Sequence, residues 1–175
     1  MPRNVEIKAR VGDIEALRRR AAELSDTPVQ VLHQTDTFYI VPHGRLKLRV
    51  RGPDACELIQ YARPDATGAK ASEYHLVRSD DPRGFERVLS ASLDMRGVVI
   101  KTRFLYLVGQ TRIHVDDVKD LGAFMELEVM LGEGQTVEEG TRVAEDLMAV
   151  LGMREEDLVS GAYIDLLEEE TPRCS

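Results

Sequence analysis

The sequence contains no tryptophan, and Phe, Tyr and Trp together make up only 5% of its 175 residues. Proteins that bind single-stranded nucleic acid stack the bases on aromatic side chains, so this shortage argues against such a surface. An excess of positive charge is also lacking: the formal net charge is −8 at pH 7, whereas general nucleic-acid-binding domains are basic. We therefore expect no nucleic-acid partner.

Cysteines and long apolar runs are scarce as well. Cys56 and Cys174 are too few and too far apart for a metal cluster or a disulfide framework, and we interpret them as free thiols in a reducing cytoplasm. No apolar run approaches the ~20 residues that span a membrane. The first strand follows Met1 too closely to leave room for a signal peptide. The expected location is cytoplasmic, with no membrane partner.

Two kinds of functional motif are missing. The sequence has no glycine-rich loop of the P-loop or Rossmann type, and no Ser or Cys lies in a recognisable nucleophile motif. What the sequence does contain is alternation of charged and aliphatic residues. In the stretch 44–51 the cations are Arg45, Lys47, Arg49 and Arg51, and the aliphatic residues between them are Leu46, Leu48 and Val50. Because a strand sends alternate side chains to opposite faces, these cations share one face.

The same alternation recurs elsewhere in the chain. It is found in Val5–Val11, Ile100–Phe104, Arg112–Asp116 and Met125–Val129. A single such strand is typical of an antiparallel sheet with one solvated face. A face that is charged in strand after strand predicts instead a barrel or deep trough with a charged interior.

Capping and turn signals place the helices and loops between these strands. Helices are expected after Asp13, after Asp81, after Thr136 and near Glu155–Leu167. The apolar side of the second helix is predicted to consist of Phe85, Val88 and Leu89. A hairpin is expected about Gly109, and loops at Asp65–Ala71 and Asp116–Gly122. We expect one domain over residues 1–170, followed by a frayed tail at 171–175.

The charged strands indicate a ligand. The carboxylates placed in the interior are Glu6, Glu126 and Glu128, with Asp116 as a possible fourth. Packed carboxylates repel one another unless one protonates or a cation joins them. Since no Cys/His cluster exists, oxygen ligands favour Mg²⁺ or Mn²⁺.

The interior cations predict an anionic partner. They are Lys8, Lys47, Arg49, Arg63, Lys101, Arg103 and Arg112. Guanidinium groups bind phosphate oxygens in pairs and lysines act as compact point charges, so the expected partner is a small-molecule triphosphate. His114 lies on the charged face of its strand, where we interpret it as a hydrogen-bonded structural histidine.

These residues resemble the CYTH superfamily, the triphosphate tunnel metalloenzymes, over nearly the whole chain. The resemblance rests on an early Glu-x-Lys strand, a Leu-Lys-Leu-Arg strand, a Lys-x-Arg strand and a late Glu-x-Glu strand. The stretches 4–10, 34–38 and 44–49 are most similar to the class IV adenylyl cyclase-like branch, and 121–128 is the strongest single match. The resemblance implies an α+β fold, a closed antiparallel eight-stranded barrel with helices packed outside.

The resemblance also implies roles for individual residues. Glu6 and Lys8 match the second Glu and the Lys of the Glu-x-Glu-x-Lys signature, while Asn4 replaces its first Glu, a metal ligand. Glu126 and Glu128 match the metal-binding pair. The implied catalytic residues are Lys8, Arg49, Lys101 and Arg103; the implied triphosphate-binding residues are Lys8, Lys47, Arg49, Arg63, Lys101, Arg103 and Arg112. Near the end, Ser160 and Tyr163 are separated where the family often has them adjacent.

Three functions remain open at this point. The first is a Mg²⁺- or Mn²⁺-dependent cyclase that converts ATP to cyclic AMP and pyrophosphate. The second is a triphosphatase acting on thiamine triphosphate, a nucleoside triphosphate or tripolyphosphate. The third is a non-catalytic module that binds ATP or polyphosphate. The protein is expected to be a monomer or a homodimer.

Overall fold

The computed structural model describes residues 3–62 and 68–170. Arg63, Cys174, the tail and the beginning of the expected loop at Asp65 lie outside these residues. In the described ranges the strands are β1 (Arg3–Arg10), β2 (Gln30–Tyr39), β3 (Arg45–Gly52), β4 (Ala55–Ala62), β5 (Lys70–Ser79), β6 (Met95–Val108), β7 (Thr111–Val118) and β8 (Gly122–Met130). They form a closed barrel in the order β1-β5-β4-β3-β2-β6-β7-β8, and every pair is antiparallel. The predicted fold is confirmed.

Helices pack on the outside of this barrel. They are α1 (Ile14–Leu24), α2 (Pro82–Ser92), α3 (Val137–Val150) and α4 (Tyr163–Glu170). The predicted caps are present: the Asp13 carboxylate accepts from the Ala16 amide, Asp81 accepts from the Gly84 amide, and Thr136 opens α3 with a capping box. No helix in the described ranges is both long enough and apolar enough to cross a membrane.

The two faces of the barrel wall differ in chemistry, as the alternation predicts. The main apolar core lies outside the barrel, where β1, β6, β7 and β8 meet α1 and α3. Ile7, Ile113 and Leu127 point into this core and are at most 1% exposed. A Cβ atom added to Gly140 of α3 would lie 2.9 Å from a methyl group of Val5, so only glycine lets the helix approach β1 this closely. Residues of the opposite parity, most of them polar or charged, face the interior.

Three local predictions are corrected. Asp116 was expected in a loop, but pairing in the β7–β8 hairpin continues to Val118, so Asp116 lies inside β7. Val88 was expected to be buried, but it is 64% exposed, because α2 packs against β3 through Phe85 and Leu89 instead.

The single helix predicted near Glu155–Leu167 is interrupted. A 3₁₀ turn at Glu155–Asp157 is followed by extended chain, and α4 begins only at Tyr163. In the interruption the Val159 amide donates to the Lys8 carbonyl at 3.0 Å, and Leu158 forms a bridge with Ala9. The chain therefore returns to β1 before α4 starts.

Candidate functional site

The barrel encloses a cavity of about 740 Å³, which we call the tunnel. Nine of the residues predicted from the sequence line it: Glu6, Lys8, Lys47, Arg49, Lys101, Arg103, Arg112, Glu126 and Glu128. Asp116 does not, because its carboxylate is covered by Arg103. Arg63 lies outside the described residues.

Cations converge on one side of the tunnel around a single carboxylate. Lys47, Arg49 and Lys101 surround Asp36, and we call these four side chains the cation cluster. Both carboxylate oxygens accept from Arg49, at 2.8 Å from Nε to Oδ1 and 2.7 Å from Nη2 to Oδ2. Oδ2 also accepts from Lys47 Nζ at 3.0 Å and from Lys101 Nζ at 3.2 Å.

Burial and charge shift the acid–base behaviour of this cluster. Burial alone would raise the pKa of Asp36, but the charges of Arg49, Lys101 and Lys47 outweigh it and hold this pKa well below its usual range. Burial lowers the pKa of Lys101 to about 7, opposed by Asp36 and reinforced by nearby arginines. With one carboxylate against three cationic groups, the cluster carries an excess of positive charge whenever its lysines are protonated.

Arg103 continues the cationic side of the tunnel towards β7. Its Nε and Nη2 atoms each donate to Asp116 at 2.7 Å, and Nη2 lies 3.5 Å from Oε2 of Glu126. The hydroxyl of Tyr163 donates to Asp116 Oδ2 at 2.7 Å. Although burial would raise the pKa of Asp116, the charge and hydrogen bonds of Arg103 lower it to about 2, so this carboxylate is anionic at neutral pH. Asp116, which does not itself line the tunnel, thus orients the guanidinium group of Arg103.

Carboxylates line the opposite side, on β1 and β8. Glu6 and Glu128 are partners in the β1–β8 register, and Glu126 is opposite Lys8. The Asn4 amide nitrogen donates to Oε1 of Glu128 at 2.7 Å and to Oε1 of Glu6 at 3.2 Å. We call Asn4, Glu6, Glu126 and Glu128 the acidic side.

His114 lies beside these carboxylates. Burial, together with the charge of Arg103, lowers the pKa of His114 to about 3, so its imidazole is neutral at pH 7. Its Nε2 is 3.8 Å from Oε2 of Glu128, and its Nδ1 is buried without a hydrogen-bond partner among the described residues. The structural hydrogen bond predicted for His114 is therefore not formed at Nδ1.

Lys8 connects the tunnel to the C-terminal segment. Its Nζ donates to the Gly161 carbonyl at 2.9 Å and lies 4.3 Å from the ring centre of Tyr163, a cation–π distance. The break before α4 is what brings Gly161 and Tyr163 to this position. Tyr163 also belongs to an apolar cluster with lumen-facing residues of three strands, namely Phe38, Ile59, Tyr61 and Val99. One end of the tunnel is thus apolar.

Sequence reasoning missed Asp36, Tyr163 and Glu57. Glu57 is a buried carboxylate of β4 that accepts from Arg51 at 2.6 Å and contacts Arg78 at 3.3 Å. Asp36 could have been found from parity, because it shares a face with Gln34 on β2 and with the cations of the paired strand β3. Nothing in the sequence placed Tyr163 beside Lys8.

The acidic side has the donor chemistry of a site for a hard divalent cation. Among the described residues no three His, Cys, Asp or Glu side chains form a preassembled metal site. Mg²⁺ commonly takes one or two protein carboxylates and completes its octahedron with water and substrate phosphate. The paired carboxylates Glu6 and Glu128 fit this requirement. Next to them, Oδ1 of Asn4 is buried without a hydrogen-bond partner and offers a further neutral oxygen.

Comparisons with known proteins agree with this fold. A Pyrococcus horikoshii protein of known structure matches with a TM-score of 0.79 at 23% identity, covering 94% of this chain and 99% of that one. A candidate adenylate cyclase from Vibrio parahaemolyticus matches with a TM-score of 0.75 at 19% identity, covering 94% and 97%. A candidate adenylyl cyclase from Hippeastrum with a dominant triphosphatase activity matches with a TM-score of 0.66 at 14% identity, covering 98% of both chains.

At these identities the solved structures establish the likeness of the fold alone, and no curated protein matches the sequence. The family comparison is more direct, because the model of the CYTH domain matches residues 2–163. That match spans the barrel, both sides of the tunnel and the segment that holds Lys8. The chain belongs to the CYTH domain family.

Proposed function

We propose that this protein is a divalent-metal-dependent enzyme that cleaves an organic triphosphate bound in the tunnel. The observation that carries the proposal is the cation cluster, in which one buried carboxylate faces three cationic side chains. Phosphate oxygens would supply the missing negative charge. The acidic side lies across the same cavity, where carboxylates suit a hard cation that also touches phosphate.

The cavity has room and surface for more than phosphate. Leu32, Leu105 and Leu107 line it on β2 and β6. Apolar lining of this kind favours a substrate that carries an organic group, such as ATP. The primary candidate reaction is therefore the class IV adenylyl cyclase reaction, in which a ribose hydroxyl attacks the α-phosphorus and pyrophosphate leaves.

Hydrolysis is the second candidate. The buried cations contact phosphate in either reaction, and a water molecule could replace the ribose hydroxyl without any change in them. The Hippeastrum protein, which shares the fold, has a dominant triphosphatase activity. The two reactions differ in the phosphorus that is attacked and in the products released.

The roles of the side chains are the same for both reactions. Arg49 would bind phosphate oxygens with its guanidinium group, and Lys47 and Lys101 would add point charges that stabilise the transition state. Arg103, oriented by Asp116, and Lys8 would do the same nearer the acidic side. Glu6, Glu126 and Glu128 would hold Mg²⁺ or Mn²⁺, which neutralises developing phosphate charge when bound.

The test is product analysis with purified protein. ATP and tripolyphosphate are each incubated with Mg²⁺ or Mn²⁺, and cyclic AMP, pyrophosphate and orthophosphate are measured. Cyclic AMP with equimolar pyrophosphate supports the cyclase, and metal-dependent orthophosphate release supports the triphosphatase. Ligand-induced stabilisation without any product would instead indicate a binding module.

A thermal-shift series accompanies this assay. A ligand that binds only the folded state stabilises it by about 2.7 kcal/mol at a hundred times its dissociation constant. ATP and tripolyphosphate should raise the melting temperature, and AMP should have almost no effect. If neither polyphosphate shifts the melting curve, with or without metal, the proposed function is wrong.

A further inference from the structure

Asp36 gathers side chains from different parts of the chain onto one carboxylate. Its partners Lys47 and Arg49 lie on β3, and Lys101 lies on β6, on the other side of β2 in the barrel. Oδ2 alone accepts three donors, at 2.7, 3.0 and 3.2 Å. The Asp36 side chain is only 2% exposed, so water takes little part in arranging these groups.

Without this carboxylate the three cationic groups would have no common acceptor. Like charges in a poorly solvated cavity repel, and flexible lysine side chains would move apart or lose their protons. With Asp36 present, the donors point to one region of the lumen before any ligand arrives. A preorganised set of donors binds its ligand without the free-energy cost of rearrangement.

The carboxylate also opposes binding, because it is a negative charge next to the place of an incoming anion. Two effects of opposite sign therefore meet at this residue. Removal of the charge alone should tighten anion binding, whereas loss of the arrangement should weaken it. The sign of the change shows which effect is larger.

We propose that Asp36 is a positioning residue that holds Lys47, Arg49 and Lys101 as a preformed cradle for one phosphate group of a polyphosphate ligand. The proposal rests on the proposed function for the identity of the ligand. Arg49 is fixed by two parallel hydrogen bonds, and each lysine contributes one donor. The gain in affinity from the ordered cations is larger than the loss from the negative charge of Asp36, so polyphosphate binds more weakly when Asp36 is replaced.

Glu57 provides the matched control. It is also a lumen-lining carboxylate, its side chain is 6% exposed, and it contacts Arg51 and Arg78. Those arginines are 39% and 77% exposed, so solvent can support them when the carboxylate is removed. Glu57→Gln and Asp36→Asn thus remove the same charge from the same cavity, but only the second disrupts a buried arrangement.

The experiment measures the dissociation constant of tripolyphosphate by calorimetry without metal for the wild type, Asp36→Asn, Asp36→Glu and Glu57→Gln. We expect Asp36→Asn to weaken binding by about tenfold or more, because charge-assisted phosphate contacts are lost. Asp36→Glu keeps the charge but moves the carboxylate by one methylene, and it should also weaken binding. Glu57→Gln should tighten binding by up to about fivefold, as removal of a nearby negative charge predicts.

Each outcome decides the proposal. If Asp36→Asn binds tripolyphosphate as tightly as the wild type or more tightly, the proposal is refuted, whatever Asp36→Glu does. If Asp36→Asn does not fold, Asp36→Glu gives the answer alone. A second readout is the Arg49 Nε–H signal in ¹⁵N NMR, which should be protected from exchange in the wild type and exposed in both variants. If the wild type binds no tripolyphosphate, the proposed function fails, and this signal still confirms or refutes the role of Asp36.

Discussion

The side-chain amide nitrogen of Asn4 lies 2.7 Å from Oε1 of Glu128. The same nitrogen reaches Glu6 at 3.2 Å, so one neutral donor lies between two carboxylates that face the tunnel. The resemblance places Asn4 where the metalloenzyme signature has a glutamate that binds metal. In the structure its nitrogen is the group directed at the carboxylates, and it reduces their repulsion as a cation would.

Replacement of Asn4 by Asp should therefore destabilise the metal-free protein. The change removes a donor and adds a third carboxylate at a site that is 1% exposed, and we expect a loss of about 1–3 kcal/mol in the free energy of unfolding. Mg²⁺ or Mn²⁺ should recover more stability in this variant than in the wild type. Urea denaturation with and without metal measures both effects, and Asn4→Ala separates the lost donor from the added charge. Equal responses to metal in variant and wild type would contradict the interpretation.

Replacement of Glu128 by Gln should abolish metal-dependent turnover and leave the fold intact. The amide oxygen can still accept from Asn4, but a charge that the metal needs is gone, and so is one source of repulsion on the acidic side. The melting temperature without metal should hold or rise. Product release with Mn²⁺ and circular dichroism are the measurements, with Glu126→Gln as a parallel variant. Full activity would remove Glu128 from the metal site.

Binding of tripolyphosphate should take up a proton above neutral pH. Burial lowers the pKa of Lys101 to about 7 in the free protein, so the amine is largely neutral at pH 8. A bound polyanion favours the charged form and raises this pKa. Affinity should therefore fall as the pH rises above 7. Calorimetry in buffers of different ionisation enthalpy measures the uptake, and Lys101→Met should remove it. An absence of uptake in the wild type would contradict the lowered pKa.

The stability of the ligand-free protein should depend on the same lysine with a defined sign. Between pH 7 and the ordinary lysine pKa of 10.5, the unfolded chain holds the proton that the folded chain has lost. Stability rises with pH wherever the unfolded state binds more protons, so Lys101 contributes a positive slope in this window. Urea midpoints of the wild type and Lys101→Met from pH 7 to 10 should show a smaller slope in the variant.

Leu127→Ala should destabilise the protein without altering the tunnel. Leu127 is 0% exposed in the core outside the barrel, between the lumen-facing residues Glu126 and Glu128. Loss of a buried leucine costs about 2–5 kcal/mol of unfolding free energy. The dissociation constant of tripolyphosphate, measured well below the melting temperature, should stay within about twofold, since the removed atoms face away from the ligand. A large loss of affinity would show that the two faces are coupled.

The sequence predicted which side chains face the interior of the barrel better than it predicted which side chains contact one another. Strict alternation around Lys47 and Lys101 determines which side chains face inward, because a shift of one residue would bury every charge against the helices. Helix caps such as Asp13 depend on neighbouring residues alone, so they were predicted equally well. Asp36 was missed as a site residue because its partners are 11, 13 and 65 positions away, and the pairing of β2 with both β3 and β6 brings them together.

The C-terminal segment was predicted least well. Its apolar residues were interpreted as one helix. Their spacing alone does not reveal that the helix is interrupted by an extended segment that pairs with β1. That pairing is a tertiary contact between Val159 and Lys8, far apart in sequence. The positions of Gly161 and Tyr163 beside the Lys8 amine follow from it.

This contact also has a consequence for how the protein is made. Lys8 leaves the ribosome before Gly161, whose carbonyl holds its amine and lies 153 positions later. β1 cannot complete its hydrogen bonding until β8 has been synthesised, and domains rich in such distant pairings fold slowly. Closure of the tunnel therefore waits for β8, and a nascent chain that stops short of β8 would expose an open sheet with unpaired strand edges. Unpaired strand edges make folding intermediates prone to aggregation.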